Sequence, residues 1–381
     1  MSGEPYLLTM RRPLALLISL LMVSIALTGC LGSDEFGFSV NDLTAPELAT
    51  ALIELEDVPE TDVMYIGMEY ALSWTVSEVN QGHTAVVKVF VENQGLGDIF
   101  VDSISWAWKD GEGFERDVAI TVSPGEEAMV GKLLFTSRVA GERTYSIGVG
   151  MLASNLMGTR WYDHGVIETD EHEIDVIPLG TAVEYNVTSN PRSVYDDINA
   201  LVDFETVDPV VETIINEHPG EYSIIQVLAA YEWVEGNIEY VLDVGDYWQS
   251  AEETLLRGYG DCEDQAILLA SIVTALGGTA RVNIMEQHAF ATVYVGGDNG
   301  TLEGVRASLS SFYEAEAEVC FLEDGYGYWM VIDTNGIPYA GGLPPLSVST
   351  EDGWGFLETE YLYPIDVTGV PSPDGISFFG L

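Results

Sequence analysis

Apolar and polar residues alternate in short runs from about 62 to 180, as in "YALSWTVSEV", "TAVVKVFVENQG", "DIFVDSISWAW", "DVAITVSPGEEAMVGKLLFT", "RTYSIGVGML" and "HEIDVIPL". A period of two places one face of each run in a core, and turn signals at Asn93-Gln94-Gly95, Asp110-Gly111 and Pro124-Gly125 separate the runs at near-regular intervals. This predicts an antiparallel β-sandwich. From "SNPRSVYDDINALVDF" onward the period becomes helical, in "DPVVETIINEHPG" and "SIIQVLAAYEWVEGNIEYVLD", with breaks at Pro219 and Gly236. A third helix is expected in "GYGDCEDQAILLASIVTALGG", followed by strands near 279–285, 288–295 and 328–333 and a Gly/Pro-rich tail. Helices followed by strands predict an α+β domain. Before the alternating region, "TAPELATALIELE" has the capping pattern and periodicity of one short helix.

The first thirty residues follow a different logic. Arg11 and Arg12 precede an apolar run from Leu14 to Leu27, shorter than the roughly twenty residues a membrane span needs, so a secretory signal is expected. The following Leu27-Thr28-Gly29-Cys30 resembles the prokaryotic lipobox, which implies lipidation of Cys30 and removal of residues 1–29. Met10, directly before the arginine pair, is an alternative start. Two acyl chains hold a protein stably at a membrane, so the chain is expected on the extracellular face of the cell membrane. The expected order is signal peptide 1–29, tether with a short helix 30–61, β-sandwich 62–180, α+β domain 185–345 and C-terminal extension 346–381.

Charge narrows the partners. Sixty-two acidic residues against 13 basic ones give a formal charge of -49, spread along a chain of 381 residues. Such a surface repels phosphate backbones, which excludes nucleic acid as a partner. With 47% apolar residues the chain is not disordered. The acidic, lysine-poor balance instead suggests a salt-adapted prokaryote, most consistent with an archaeon, whose self-repulsion is screened in strong salt. Transfer to low salt is therefore expected to unfold the protein, and a melting temperature indifferent to ionic strength would contradict that origin. No phosphate loop, zinc spacing or dinucleotide fingerprint occurs, so no cofactor or metal is implied. Sequons at Asn186-Val187-Thr188 and Asn299-Gly300-Thr301 permit glycosylation.

Cys262 carries the candidate chemistry. With Asp261 as N-cap it falls in the first helical turn, where unpaired N–H groups and the helix dipole favour the thiolate. A thiolate nucleophile needs a base and an orienting group. His83, His164, His172 and His218 are expected at solvated positions, with His164 and His172 as weak candidates for a metal site. His288 opens the strand "HAFATVYV", and Asp333 ends the apolar strand "YWMVID". Cysteine acyl-transfer enzymes use Cys, His and Asp in this order. A disulfide between Cys262 and Cys320, or an inert buried thiol, would remove that chemistry.

Together "GDCEDQAILLASIVTALGGTARV", "HAFATVYV" and "YWMVIDTNG" resemble the transglutaminase-like superfamily over roughly 190–345. The resemblance implies a papain-like core with Cys262 as nucleophile, His288 as base and Asp333 as orienter, acting on amide bonds of a protein or peptide substrate through a thioester. The backbone N–H of Cys262 is then the natural oxyanion donor, with Trp248 and Gln249 as second contributors. Glu263 and Asp264 are expected to face water or to hold neighbouring loops, and their charges to oppose the thiolate, which makes pairing with protonated His288 more important. The long insertion between His288 and Asp333 is expected to cover the site or shape its groove, and Thr334 stands where many relatives carry proline. A catalytically inactive binding module is the rival expectation. The succession "VENQG", "SPGEE", "AGERTYSIGV" resembles the immunoglobulin-like sandwiches of prokaryotic surface proteins, such as the CARDB type, which implies a structural spacer.

Overall fold

The computed structural model describes residues 43–367, apart from 54, 63–66, 188–197, 244, 246 and the side chain of 299. The signal peptide, Cys30 and the last fourteen residues lie outside the described residues. The alternating region forms β1 (Tyr70–Val76), β2 (Val79–Asn80), β3 (Thr84–Asn93), β4 (Ile99–Trp108), β5 (Gly113–Val122), β6 (Glu127–Thr136), β7 (Gly141–Ser154), β8 (Trp161–Glu168) and β9 (His172–Ile177). One sheet runs β1-β3-β6 and the other β2-β9-β7-β4-β5, with β8 paired to β7. Their inner faces share one core. Trp106 of β4 lies between Phe135 of the facing sheet at 4.0 Å and Tyr145 of its own sheet at 3.9 Å, both stacked, so one indole joins the two layers.

The later region is α+β. After β10 (Asn186–Val187) come α1 (Ile198–Leu201), α2 (Asp208–Glu217), α3 (Ile224–Asn237), β11 (Glu239–Tyr240), α4 (Ala251–Arg257), β12 (Tyr259–Gly260) and α5 (Cys262–Ala275). Then follow β13 (Ala280–Met285), β14 (His288–Gly296), α6 (Asn299–Tyr313), β15 (Phe321–Asp324), β16 (Gly327–Ile332), β17 (Ser347–Thr350), β18 (Gly353–Phe356) and β19 (Tyr361–Val367). A six-stranded sheet in the order β10-β19-β13-β14-β16-β15 forms the backbone of this region. Helix α5 packs on β13 and β14 and is buried nearly all round, which is why its sequence is apolar without a stripe.

Four expectations need correction. Residues 346–367 are no appended extension, because β19 pairs antiparallel with β13 inside the sheet, Tyr363 opposite Ile284. Its Pro364 hides the strand pattern in the sequence. A proline, lacking a ladder donor, is tolerated there because β10 pairs only with Tyr361 and Leu362 on the other side. A buried ion pair, Arg281 Nε to Asp366 Oδ1 at 2.5 Å, fastens the two strands.

No helix forms among the described residues of "TAPELATALIELE". Its backbone is extended because Glu47 exchanges both of its main-chain bonds with the domain behind it, its N–H to Tyr222 O at 2.9 Å and its C=O from Ile224 N–H at 2.9 Å. Thr44 N–H to Thr279 Oγ1 at 2.8 Å and Ala51 N–H to Ser311 Oγ at 3.0 Å continue this strap. External partners satisfy these groups, so the local helical preference is overridden.

The insertion between His288 and Asp333 does not line the cleft described below. It folds as α6 and β15 and forms part of the contact with the sandwich, where Glu314 Oε2 accepts from Arg116 Nε at 3.0 Å and Glu318 N–H donates to Thr84 Oγ1 at 2.9 Å. His83 is buried at this contact rather than solvated, 3.5 Å from Cys320 Sγ, and burial pushes its imidazole down to about 4. Lys132 Nζ bonds Glu232 at 2.6 Å and Glu235 at 2.8 Å, and Lys88 also bonds Glu235. Val86 and Leu134 of the sandwich join the core of the α+β region, so the two regions share packed side chains.

Candidate active site

Helix α5 begins where a capping box fixes it. Asp264 Oδ2 accepts from Asp261 N–H at 3.2 Å, the reach-back half of the box. Asp264 is fully buried and does not face water. It also takes Gln249 N–H at 2.6 Å and Gln249 Nε2 at 2.5 Å, so it holds the 249 segment against the helix start. A Cβ at Gly260 would lie 2.6 Å from Asp264 Cβ. Gly260→Ala is therefore expected to break this clamp, lowering stability by about 1–3 kcal/mol, as overpacking does. Thermal melting checks it, and an unchanged midpoint contradicts the clamp.

Strand register places the other two groups. Ala291 of β14 lies opposite Ile332 of β16, so continuing the register sets Asp333 opposite Phe290 and one diagonal step from His288, on the same face. His288 Nε2 and Asp333 Oδ2 meet at 2.6 Å, both buried. Their pairing leaves Nδ1 as the ring nitrogen available to another group. Burial disfavours the imidazolium, but the Asp333 charge and hydrogen bond outweigh it, and the imidazole is held above its ordinary value. Thr334 also has a role: its hydroxyl donates to Gln265 Oε1 of α5 at 2.5 Å and ties the Asp333 turn to the cysteine helix. Tyr231 of α3 donates to the carbonyl of Asp333 at 3.4 Å from behind.

Cys262 and His288 line one cleft of about 320 Å³, together with Tyr240, Asp243, Trp248, Glu263 and Gln287. Cys262 and Cys320 are both free thiols, and Cys320 is buried at the sandwich contact. Trp248 forms part of the cleft wall. Gln249, expected as an oxyanion donor, does not line the cleft, because its amide is given to Asp264. Gln287 turns the chain between β13 and β14 with φ 65°, a left-handed conformation unusual for this residue, directly before His288.

The thiol itself donates to Glu263 Oε2 at 3.0 Å. Burial, then the Glu263 charge and hydrogen bond, push the Cys262 thiol well above its ordinary value, while the Ala289 backbone N–H works the other way. Glu263 is buried and raised in turn, and Asp261 is raised by burial and by Glu263. Sequence reasoning missed Gln265, Thr334 and Tyr231 as site groups, and no local signal marked them; it read Glu263 as a charge opposing the thiolate but not as a buried group bonded to the sulfur.

These shifts set a sign for stability. Asp264 and Asp366 are held at about 6 by burial, above the unfolded value of roughly 3.9, so the folded state binds protons more tightly in that window. Stability then falls as pH rises through roughly 4 to 6. The raised His288 acts in the same direction, its contribution present below the unfolded value of roughly 6.5 and lost above the folded one. Glu235, held low despite burial by Lys132 and Lys88, opposes them only in more acid solution, whereas His83, pushed down to about 4, opposes them as pH falls below roughly 6.5 and is outweighed there by Asp264, Asp366 and Asp261, the last held at about 7. The melting temperature is expected to rise as pH is lowered from 8 to 5, and a scan rising with pH over that range would contradict these assignments.

A thiol at a helix start thus shares its cleft with an imidazole paired to a buried carboxylate, on an α+β frame. Residues 210–334, about a third of the chain, match the family model described as Transglutaminase-like superfamily. No curated protein matches the chain. Among solved structures it is similar to a proposed cysteine protease from Cytophaga hutchinsonii, at 14% identity and TM-score 0.24, over 72% of this chain and 83% of that one. A proposed protease from Parabacteroides distasonis is similar at 11% identity and TM-score 0.21, over 58% and 65%. A protein from Archaeoglobus fulgidus is similar at 11% identity and TM-score 0.20, over 29% and 98%.

Proposed function

We propose that this chain is a membrane-anchored, extracellular transglutaminase-like cysteine enzyme acting on amide bonds of proteins or peptides. The observation that carries the reading is the buried 2.6 Å His288–Asp333 pair and a half-buried thiol at a helix start, Cys262 and His288 lining one cleft of about 320 Å³. In the reaction, His288 Nδ1 takes the Cys262 proton, the thiolate attacks the amide carbonyl, and the imidazolium returns the proton to the leaving amine. Asp333 fixes the ring and balances its charge. The backbone N–H of Cys262 faces the developing oxyanion, with Trp248 as the wall of the hole. Water or an acceptor amine then resolves the thioester, giving a peptidase or a transamidase. Lipid on Cys30 would hold the enzyme at the membrane, and the domain order expected from the sequence is kept with its C-terminal boundary moved to 367. The sandwich, read as immunoglobulin-like, would be a fixed platform rather than a loose spacer, because it shares core and ion pairs with the α+β region.

The Cys262–Glu263 bond favours a second reading, an inactive transglutaminase-like binding module. Incubating wild type and Cys262→Ala with peptide libraries, with and without an added amine, separates the two. Product from wild type alone supports the enzyme, and equal product from both removes it.

A further inference from the structure

Glu263 is the side chain in hydrogen-bond contact with the candidate nucleophile. As a carboxylate Glu263 accepts, and the 3.0 Å contact then places the proton on Cys262 Sγ. On the other side of the cleft, His288 has given Nε2 to Asp333 and keeps only Nδ1 for the sulfur. The groups facing the thiol are Asp261 and Glu263 from the start of α5, Tyr240 from β11, Asp243 beyond it, and His288 from β14. No lysine or arginine lies among the described residues that line this cleft.

We propose that Glu263 is a catalytic residue that holds the resting nucleophile as a neutral thiol, and that substrate must draw Glu263 off the sulfur before His288 can take the proton. The inference rests on reading Cys262 as the nucleophile. In the step, the S–H bond breaks and an N–H bond forms on His288 Nδ1, giving an imidazolium balanced by Asp333. The freed carboxylate accepts a hydrogen bond from a substrate N–H or from water, and no other proton moves. A carboxylate against the sulfur opposes the thiolate both by charge and by the bond it withdraws, so the two carboxyl groups of the site work in opposite directions. Asp333 promotes ionisation through the imidazole, and Glu263 suppresses it. Acidic residues are common in a first helical turn for the sake of the dipole alone. That bland role needs no bond to the sulfur and predicts a shift no larger than that from another carboxylate of the cleft, which makes the two roles separable.

The test is alkylation of the full chain in strong salt by iodoacetamide, a small neutral electrophile, from pH 5 to 11, read at Cys262 by peptide mass spectrometry. Glu263→Gln places an amide N–H within reach of the thiolate in place of a charge. It is expected to move the inflection down by about one pH unit or more and to speed alkylation at neutral pH about tenfold. Glu263→Ala is expected to move it in the same direction, and serves if the glutamine variant does not fold. Asp243→Asn removes a charge from the same cleft without a bond to sulfur and is expected to move it less. Profiles that superimpose on wild type overturn the proposal, as does an Asp243→Asn shift equal to that of Glu263→Gln. The readout needs no turnover: faster alkylation without peptide cleavage leaves Glu263 in its role and removes the enzyme reading, whereas unchanged alkylation with normal cleavage does the reverse.

Discussion

Lys132→Met is expected to lower the unfolding free energy of the chain by about 3–5 kcal/mol, the usual cost of removing one member of a buried ion cluster. Lys132 is 4% exposed and bonds Glu232 at 2.6 Å, Glu235 at 2.8 Å and the Pro338 carbonyl at 3.4 Å. Without it Glu232 keeps only the Tyr313 hydroxyl, at 2.9 Å, among its described bonds, and Glu235 keeps Lys88. Two carboxylates would then share a poorly solvated contact with one cation. Replacing Glu232 and Glu235 by glutamine in the same variant is expected to recover part of the loss, since the penalty is the unpaired charge rather than the missing contact. Equilibrium denaturation at constant high salt measures both. A loss under about 1 kcal/mol, the range of exposed pairs, would show that water reaches the cluster. Two separate transitions would show that the sandwich and the α+β region do not melt as one unit.

His288→Ala is expected to lower the turnover number on a peptide substrate by about 10²- to 10⁴-fold, the range set by removing a positioned general base. His288 lies at the start of β14 with its ring stacked 6.0 Å from Phe290, so the substitution removes a base from a strand end and leaves the strand's ladder in place. Asp333→Ala is expected to cost less. The imidazole would remain but lose its fixed tautomer and the charge that holds it above its ordinary value. Steady-state kinetics on both variants, with circular dichroism to show that they fold, decides the matter. A His288→Ala enzyme within tenfold of wild type would place the base elsewhere, with Glu263 as the neighbour to examine first.

Much of the frame was legible because single elements carry their own signals. The β3 and β4 alternation marked the sandwich, and β13, β14 and β16 were found within a residue or two because apolar runs bounded by turns read as buried strands. Elements whose conformation depends on distant partners were not legible. The strap around Glu47 reads as helix but takes its hydrogen bonds from Tyr222 and Ile224. Strand β19 reads as tail because Pro364 interrupts it, yet it sits beside β13 through the Arg281–Asp366 pair. His83 reads as a solvated histidine before a strand, and only the docking of the sandwich buries it against Cys320.

For the site, the sequence alone determined that a cysteine opens a buried helix and that a histidine and an aspartate stand at strand ends, because helix caps and strand ends are local features. Only the tertiary structure decided that strand register brings His288 and Asp333 to 2.6 Å, that Gln249 is held by Asp264 away from the cleft, and that the Cys262 thiol faces a carboxylate. Those are relations between side chains far apart in sequence, or a choice among rotamers set by packing, and neither spacing nor composition encodes them. The insertion shows the same division: its length could be read directly, but its destination, against the sandwich instead of over the cleft, depends on which surface buries its apolar side chains.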